Sequence, residues 1–304
     1  MPETRFDDFT DIEGMLRIPR LAALAAGPGG RLVAQIQQAA DDGSRMRSSL
    51  WELDAHGREE ARRLTWSDRG ESAPRFAPDG SLLFASARPD PTGAADDDAQ
   101  AIWRLPERGE ATIVASAPGG LTLVALADDG TMLATTQVLA GGSLDDDAER
   151  REARTSAKRT TIWHTGMPIR YWDHELGEES TRLVLVAPDG ALRELTPSAD
   201  TVALTNASAD LARDGALVVT TWTTRVARGE TRTGIAVIDV ASGSRRALLA
   251  PTDEHGWAGP RLSPDGTRIT VTRRTHSTPT DTSYDALEIH PIAGGDAVTI
   301  DVGD

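Results

Sequence analysis

The densest group of chemically capable side chains lies between residues 163 and 175: Trp163, His164, Arg170, Tyr171, Trp172, Asp173, His174 and Glu175. Aromatic rings interleaved with charges suit a surface that meets a ligand or a partner, because the ring supplies area and the charge orients a polar group. The same residues also suit a long connection that must pack onto itself. His164 and His174 with Asp173 are zinc-type ligands, but neither the helical HExxH spacing nor a third ligand accompanies them, so no metal is expected. The expected ligand contact is the run Arg170, Tyr171, Trp172, Asp173, His174 and Glu175. The carboxylate pairs Glu59-Glu60 and Glu178-Glu179 could hold an amine, although charged pairs in turns are ordinarily surface groups. The acidic runs Asp96 to Asp98 and Asp145 to Asp147 read as solvated residues of a loop and a helix start.

Covalent chemistry has little to work with. No Gly-x-Ser-x-Gly occurs, and the nearest approach, Gly70-Glu71-Ser72-Ala73-Pro74, lacks the last glycine and reads as a loop before a strand. No pair of carboxylates has the placement that glycoside hydrolysis needs. The absence of cysteine removes thiolate chemistry, disulfides and sulfur-bound zinc. A formal charge of −15 opposes binding to phosphate backbones and anionic lipid, so neither nucleic acid nor membrane is an expected partner. No apolar run approaches the roughly 18 residues of a membrane span, and the first residues lack the basic, apolar and small order of a signal peptide. The expectation is a cytoplasmic protein with no catalytic residues and no cofactor of its own.

The elements that must carry these residues are written in a repeat. An Asp-Gly or equivalent turn between apolar segments recurs at Gly30, Gly80, Gly130, Gly215 and Gly266, spaced 50, 50, 85 and 51 residues apart. A second series at Gly57, Gly109, Gly190, Gly243 and Gly294 interleaves with the first. Pro sets the first turn position, Asp tolerates the bridge region and Gly supplies a positive φ, so each turn closes a hairpin. Runs such as SLLFASA, ALVVTTW and TRITVTR have strand composition. Two hairpins per copy make a four-stranded antiparallel unit of β-propeller blade size. The chain is therefore expected to be all-β, with a lead segment at 1–20 forming a strand or short helix. Five blades follow at about 21–65, 73–115, 121–196, 206–250 and 258–300. Turns rather than calcium loops are expected, because carboxylates do not alternate densely there. Trp172-Asp173 occurs once, unlike the per-blade pair of WD40 repeats.

The third copy is enlarged by an insertion at about 140–181, between its second and third strands. Its first half, SLDDDAERREARTSAKRT, predicts a solvated helix with Asp145, Asp146 and Asp147 at the start and Arg154, Lys158 and Arg159 later, as the macrodipole favours. Its second half carries the aromatic group described above.

The stretches SSLWELDAHGREEARRLTWSDRGESAPRFAPDGSLLFASARPDP, IWRLPERGEA and GMPIRYWDHELG resemble the amino-terminal half of bacterial S9-type serine peptidases, a group that includes prolyl oligopeptidase, dipeptidyl aminopeptidases and acylaminoacyl peptidases. The resemblance implies a propeller, of seven or eight blades in that family, that caps an α/β-hydrolase domain. The catalytic Ser, Asp and His would belong to that domain, which the repeats here do not include. It further implies a role in gating peptide substrates. A standalone propeller acting as a protein-interaction scaffold is the other reading. With five blades where more are expected, unpaired blade faces make self-association possible.

Overall fold

A computed structural model describes residues 12–40, 43–90, 93, 99–161, 170–171, 174–175, 179–197, 199–200, 202–226 and 230–300. Five four-stranded sheets follow one another along the chain. Blade 1 comprises β1 (Arg20–Ala26), β2 (Leu32–Ala39), β3 (Met46–Leu53) and β4 (Arg62–Arg63), and blade 2 comprises β5 (Ser72–Phe76), β6 (Leu82–Ser86), β7 (Ala101–Leu105) and β8 (Thr112–Ala115). Blade 3 comprises β9 (Thr122–Leu126), β10 (Met132–Leu139), β13 (Glu179–Val186) and β14 (Leu192–Glu194). The insertion between β10 and β13 holds α2 (Asp147–Ser156), β11 (Arg170–Tyr171) and β12 (His174–Glu175). Blade 4 comprises β15 (Ala209–Leu211), β16 (Leu217–Arg225), β17 (Thr231–Asp239) and β18 (Arg245–Leu249), and blade 5 comprises β19 (His255–Leu262), β20 (Arg268–Thr275), β21 (Tyr284–Pro291) and β22 (Val298–Ile300). The strands of each blade are paired in sequence order, so the fold is a β-propeller of five blades. A short helix, α1 (Ile12–Leu16), precedes them. Among the described residues no helix is long and apolar enough to cross a membrane.

The blades fall into two compact units, blades 1 and 2 in one and blades 3 to 5 in the other, with the division inside β9. In the first unit Val33 and Leu50 of blade 1 pack on Leu82, Phe84, Ala101 and Trp103 of blade 2. The Trp103 indole donates to the Ser86 carbonyl at 3.1 Å, which satisfies the one polar atom of a buried ring. In the second unit Leu133, Leu183 and Leu185 of blade 3 meet Leu211, Val218 and Ile238 of blade 4. The opposite face of blade 4 sets Val219, Ile235 and Val237 against Ile269 and Val271 of blade 5. Adjacent residues such as Val218 and Val219 are both buried because a middle blade is covered on both faces.

The Asp-Gly turns share one mechanism. The Gly80, Gly130, Gly215 and Gly266 amides donate back to residues 77, 127, 212 and 263 at 2.8–3.1 Å, and all four glycines have φ between 67° and 88°. The preceding Asp then accepts the amide two residues on: Asp79 from Ser81, Asp129 from Thr131, Asp214 from Ala216 and Asp265 from Thr267. Hydrogen bonds from the Ser263 hydroxyl and from Thr267 hold the Asp265 carboxyl down at about 2.

A second device closes the short fourth strands. The Leu64 amide donates to the Leu50 carbonyl at 2.8 Å, and the Leu50 amide donates to the Thr65 hydroxyl at 2.9 Å. Leu195 and Thr196 hold Leu183 in the same way, at 2.8 and 2.9 Å. The Thr65 hydroxyl in turn donates to Oε2 of Glu71 at 2.8 Å. Glu71 is buried, and burial pushes its carboxyl up despite hydrogen bonds from Thr65 and Ser67. Ser72 is the first residue of β5, not part of a preceding loop, because its strand pairing with Ala85 begins there. Its hydroxyl donates to the Ala85 carbonyl and accepts from the Gln100 amide at 3.1 Å, so both of its hydrogen-bonding roles are structural.

Replacing Thr65 or Thr196 with the isosteric valine strands a buried amide. Each change is expected to cost about 1–3 kcal/mol of unfolding free energy by chemical denaturation. Thr131→Val, at an exposed turn hydroxyl, is expected to cost much less.

Candidate functional site

Antiparallel order places the start of strand one, the connection between strands two and three and the end of strand four on one edge of every blade. The two tight turns of each blade lie on the other edge. The insertion is a connection between strands two and three, so it rises from the first edge of blade 3.

Its root is tightly held. Asp147 is buried, which corrects the expectation that all three acids of this run are solvated; Asp145 is exposed and Asp146 half-buried. The Asp147 carboxylate accepts the Leu139 amide at 2.9 Å and pairs with Arg151 at 2.7 Å, and Arg151 also reaches Glu179 at 2.6 Å and the Gln137 carbonyl at 3.0 Å. The helix is therefore clamped to β10 and β13 on one side, and only its other side is solvated. Lys158 and Arg159 lie beyond its end, because Lys158 adopts a φ of 49° that a helix cannot continue. Glu194 of β14 accepts the Leu144 amide at 3.0 Å and pairs with the buried Arg182 at 3.2 Å, tying the start of the insertion to the sheet.

Beyond the helix, Arg170 pairs with Glu175 and Tyr171 with His174 across the β11–β12 hairpin. Trp172 and Asp173 lie outside the described residues, as do Trp163, His164, Glu178 and Asp96 to Asp98. Glu59 and Glu60 are exposed, whereas Glu179 is engaged by Arg151.

The same edge of blades 4 and 5 contains a pocket of about 590 Å³, within the range of small-ligand sites. Its walls come from the end of β16 and start of β17 (Thr221, Thr223, Thr233, Arg232) and the start of β19 and end of β20 (Gly256, Trp257, Arg274), with His276 beyond. Sequence inspection for clustered aromatics and histidines passes over Trp257, His276 and Arg232, because they come from separate strands and meet only through the packing of two blades. A visible trace is the pair Thr221 and Thr223 in TTWTTR, two residues apart and so on one face of β16. Asn206 at the rim has a φ of 54°, a left-handed conformation uncommon outside glycine.

Arg273 lies opposite Trp257 in the β19–β20 ladder and donates to Glu288 at 2.6 Å, and His290 contacts the other Glu288 oxygen at 2.9 Å. Burial works against the Glu288 carboxylate, but hydrogen bonds from His290 and Arg273 outweigh it and hold its pKa below the usual value.

The opposite edge has a different character. A cavity of about 340 Å³ between the turns of blades 3, 4 and 5 is lined by Asp128, Asp129, Asp214 and Asp265 together with Arg213. Asp129, Asp214 and Asp265 serve their own turns, and Asp128 pairs with Arg213 at 3.2 Å. Among the described residues no group of three or more His, Asp or Glu side chains is arranged to hold a metal ion.

No protein family and no curated protein matches the sequence. Among solved structures, the Pyrococcus horikoshii acylaminoacyl peptidase superposes with a TM-score of 0.63 at 14% identity, over 94% of this chain and 40% of that one. The fold matches peptidase propellers. The β-propeller domain of the Trilobed protease from Pyrococcus furiosus aligns with a TM-score of 0.54 at 14% identity, over 94% of this chain and 71% of that domain. A prolyl endopeptidase aligns with a TM-score of 0.56 at 13% identity, over 94% of this chain and 36% of that one. At such identities the likeness is one of fold. The chain spans about two fifths of the acylaminoacyl peptidase's length.

Two outcomes follow from the site's construction. Asp147→Ala leaves the Leu139 amide and Arg151 without their shared acceptor, and is expected to cost about 2 kcal/mol or more, with hydrogen exchange accelerated in α2 and unchanged in β16 and β17. Because the folded pKa of Glu288 is depressed, its contribution is present above the unfolded value near 4.5 and is lost as pH falls through the folded value. Glu288→Gln is therefore expected to flatten the acid limb of the stability profile measured by thermal unfolding between pH 6 and about 3.

Proposed function

We propose that this chain is the non-catalytic propeller module of an S9-like serine peptidase, capping and gating the approach of peptides to an α/β-hydrolase domain. That domain would be supplied by the same parent protein or by a separate chain. The observation that carries the reading is the sharing of one edge by the insertion and the pocket. The first strand of each blade begins on this edge and the fourth ends on it, so any domain joined to the blades in sequence would meet the protein there. The fold likeness to S9 peptidase propellers over 94% of the chain supports the same reading.

The chemistry at this edge is that of binding. Threonine hydroxyls both donate and accept, and Arg232, Trp257 and His276 offer nitrogens, a set able to hold an extended peptide backbone without attacking it. The β11–β12 hairpin, with Arg170, Tyr171, Trp172, Asp173, His174 and Glu175, would contact the peptide from blade 3. No nucleic acid or membrane enters this reading, and the gating role asks for no cofactor.

A photo-crosslinking residue in place of Thr223, at the pocket, is expected to capture an added peptide, whereas one in place of Asp189, at a turn of blade 3 on the other edge, is not. The purified chain is expected to leave aminoacyl and acyl-aminoacyl chromogenic substrates intact. Serine-dependent hydrolysis that survives repurification, or equal capture at both positions, would sink the proposal.

A further inference from the structure

We infer that the pocket between blades 4 and 5 is a recognition site for a single carboxylate, carried by an acidic side chain or the carboxyl terminus of a peptide. The inference deepens the reading of this pocket as a peptide contact and rests on that reading only for the carrier of the carboxylate.

Three observations converge. First, Arg232 Nε, Trp257 Nε1 and His276 Nε2 are buried nitrogens with no hydrogen-bond partner, and all three belong to residues of this pocket. The arginine and tryptophan atoms can only donate, and the histidine atom donates in one tautomer. Each terminal guanidinium nitrogen of Arg232 has a partner, Glu230 at 2.8 Å and the Thr231 carbonyl at 3.2 Å, whereas Nε has none. A buried donor without an acceptor costs about 1–3 kcal/mol, and three around one pocket are a standing demand for an acceptor.

Second, no aspartate or glutamate is among the described residues lining the pocket, although acidic residues outnumber basic ones by 47 to 32 in the chain. On the opposite edge, the cavity at the turns of blades 3, 4 and 5 is lined by four aspartates. The carboxylates Glu230 and Asp285 are each paired with a lining arginine and are not themselves part of the wall.

Third, space and adaptable groups are kept at the donors. A Cβ on Gly256 would lie 3.5 Å from His276 Nε2 and 3.4 Å from the Thr233 carbonyl, so glycine leaves room beside that nitrogen. The Thr223 and Thr233 hydroxyls share one hydrogen bond at 2.9 Å that either can donate, so one hydroxyl can turn to an incoming oxygen.

The charge balance selects a carboxylate over a more highly charged oxyanion. Arg232 is paired with Glu230 and Arg274 with Asp285, so the pocket offers hydrogen-bond donors with little uncompensated positive charge. One negative charge spread over two acceptor oxygens matches that supply. A phosphate dianion would be left under-neutralised.

The test uses the intact chain labelled with 15N-tryptophan, with the Trp257 indole resonance assigned through Trp257→Phe. The probes are acetyl-glutamate-amide, its neutral isostere acetyl-glutamine-amide, and inorganic phosphate. The glutamate probe is expected to shift the Trp257 resonance saturably, with the glutamine probe and phosphate each at least tenfold weaker. Arg232→Gln and His276→Leu are each expected to weaken the glutamate probe tenfold or more, while the unliganded tryptophan spectrum stays dispersed. Equal binding of the two amide probes, tighter binding of phosphate, or wild-type affinity in both variants would overturn the inference. Crosslinking of peptides at Thr223 with no preference for acidic ones would overturn it while leaving the peptidase-module reading standing. Saturable, variant-sensitive glutamate-probe binding without any peptide crosslinking would uphold the carboxylate site and sink that reading.

Discussion

The structure depends on one repeated constraint: a four-stranded sheet can bury its faces only against another sheet, so each blade must close its hairpins in a fixed register before it can stack. The Asp-Gly turns enforce that register. Glycine permits the positive φ, the backbone closes across four residues, and the aspartate ties down the amide two positions on. A slip of one residue would turn Val219 and Val237 toward blade 3 and Val218 and Ile238 toward blade 5. The two cores of the three-blade unit, one on each face of blade 4, would then lose their complementary shapes.

From this constraint comes a division of labour between edges. The edge of tight turns is busy with its own backbone: Asp79, Asp129, Asp214 and Asp265 are consumed in closing hairpins. The other edge holds the connections between second and third strands, which the register does not limit in length. There the chain places an anchored helix and hairpin on blade 3, and a hydroxyl-rich, carboxylate-free pocket between blades 4 and 5.

Much of this was legible in the residues. The glycine positions, the interleaved second series and the enlarged third copy read directly as two hairpins per blade, because turns are local and their chemistry is specific. The helix was legible from its acids and bases, but not the burial of Asp147, since the amide of Leu139 that it satisfies lies in a strand eight residues earlier. The Leu-Thr pairs at 64–65 and 195–196 stood in plain view, yet their role as latches depends on which strand lies beside them. The pocket was the least legible part. Trp257 and His276 are separated in sequence from Arg232 and joined to it only by blade stacking, so no spacing rule links them. The aromatic cluster around Trp172 stands out in the sequence because its residues are contiguous, a signal that a pocket assembled from separate strands does not give.

The root of the insertion has a mechanical consequence. Its helix is fastened through Asp147 and Arg151 to the backbone and side chains of β10 and β13, and Leu144, ahead of the helix, through Glu194 to β14. The anchor therefore rests on both middle strands of blade 3 at once, joined by an eight-residue antiparallel ladder running from Met132–Val186 to Leu139–Glu179. The helix and the sheet of blade 3 are thus coupled as one body, since displacing α2 means breaking its contacts to β10 and β13 together.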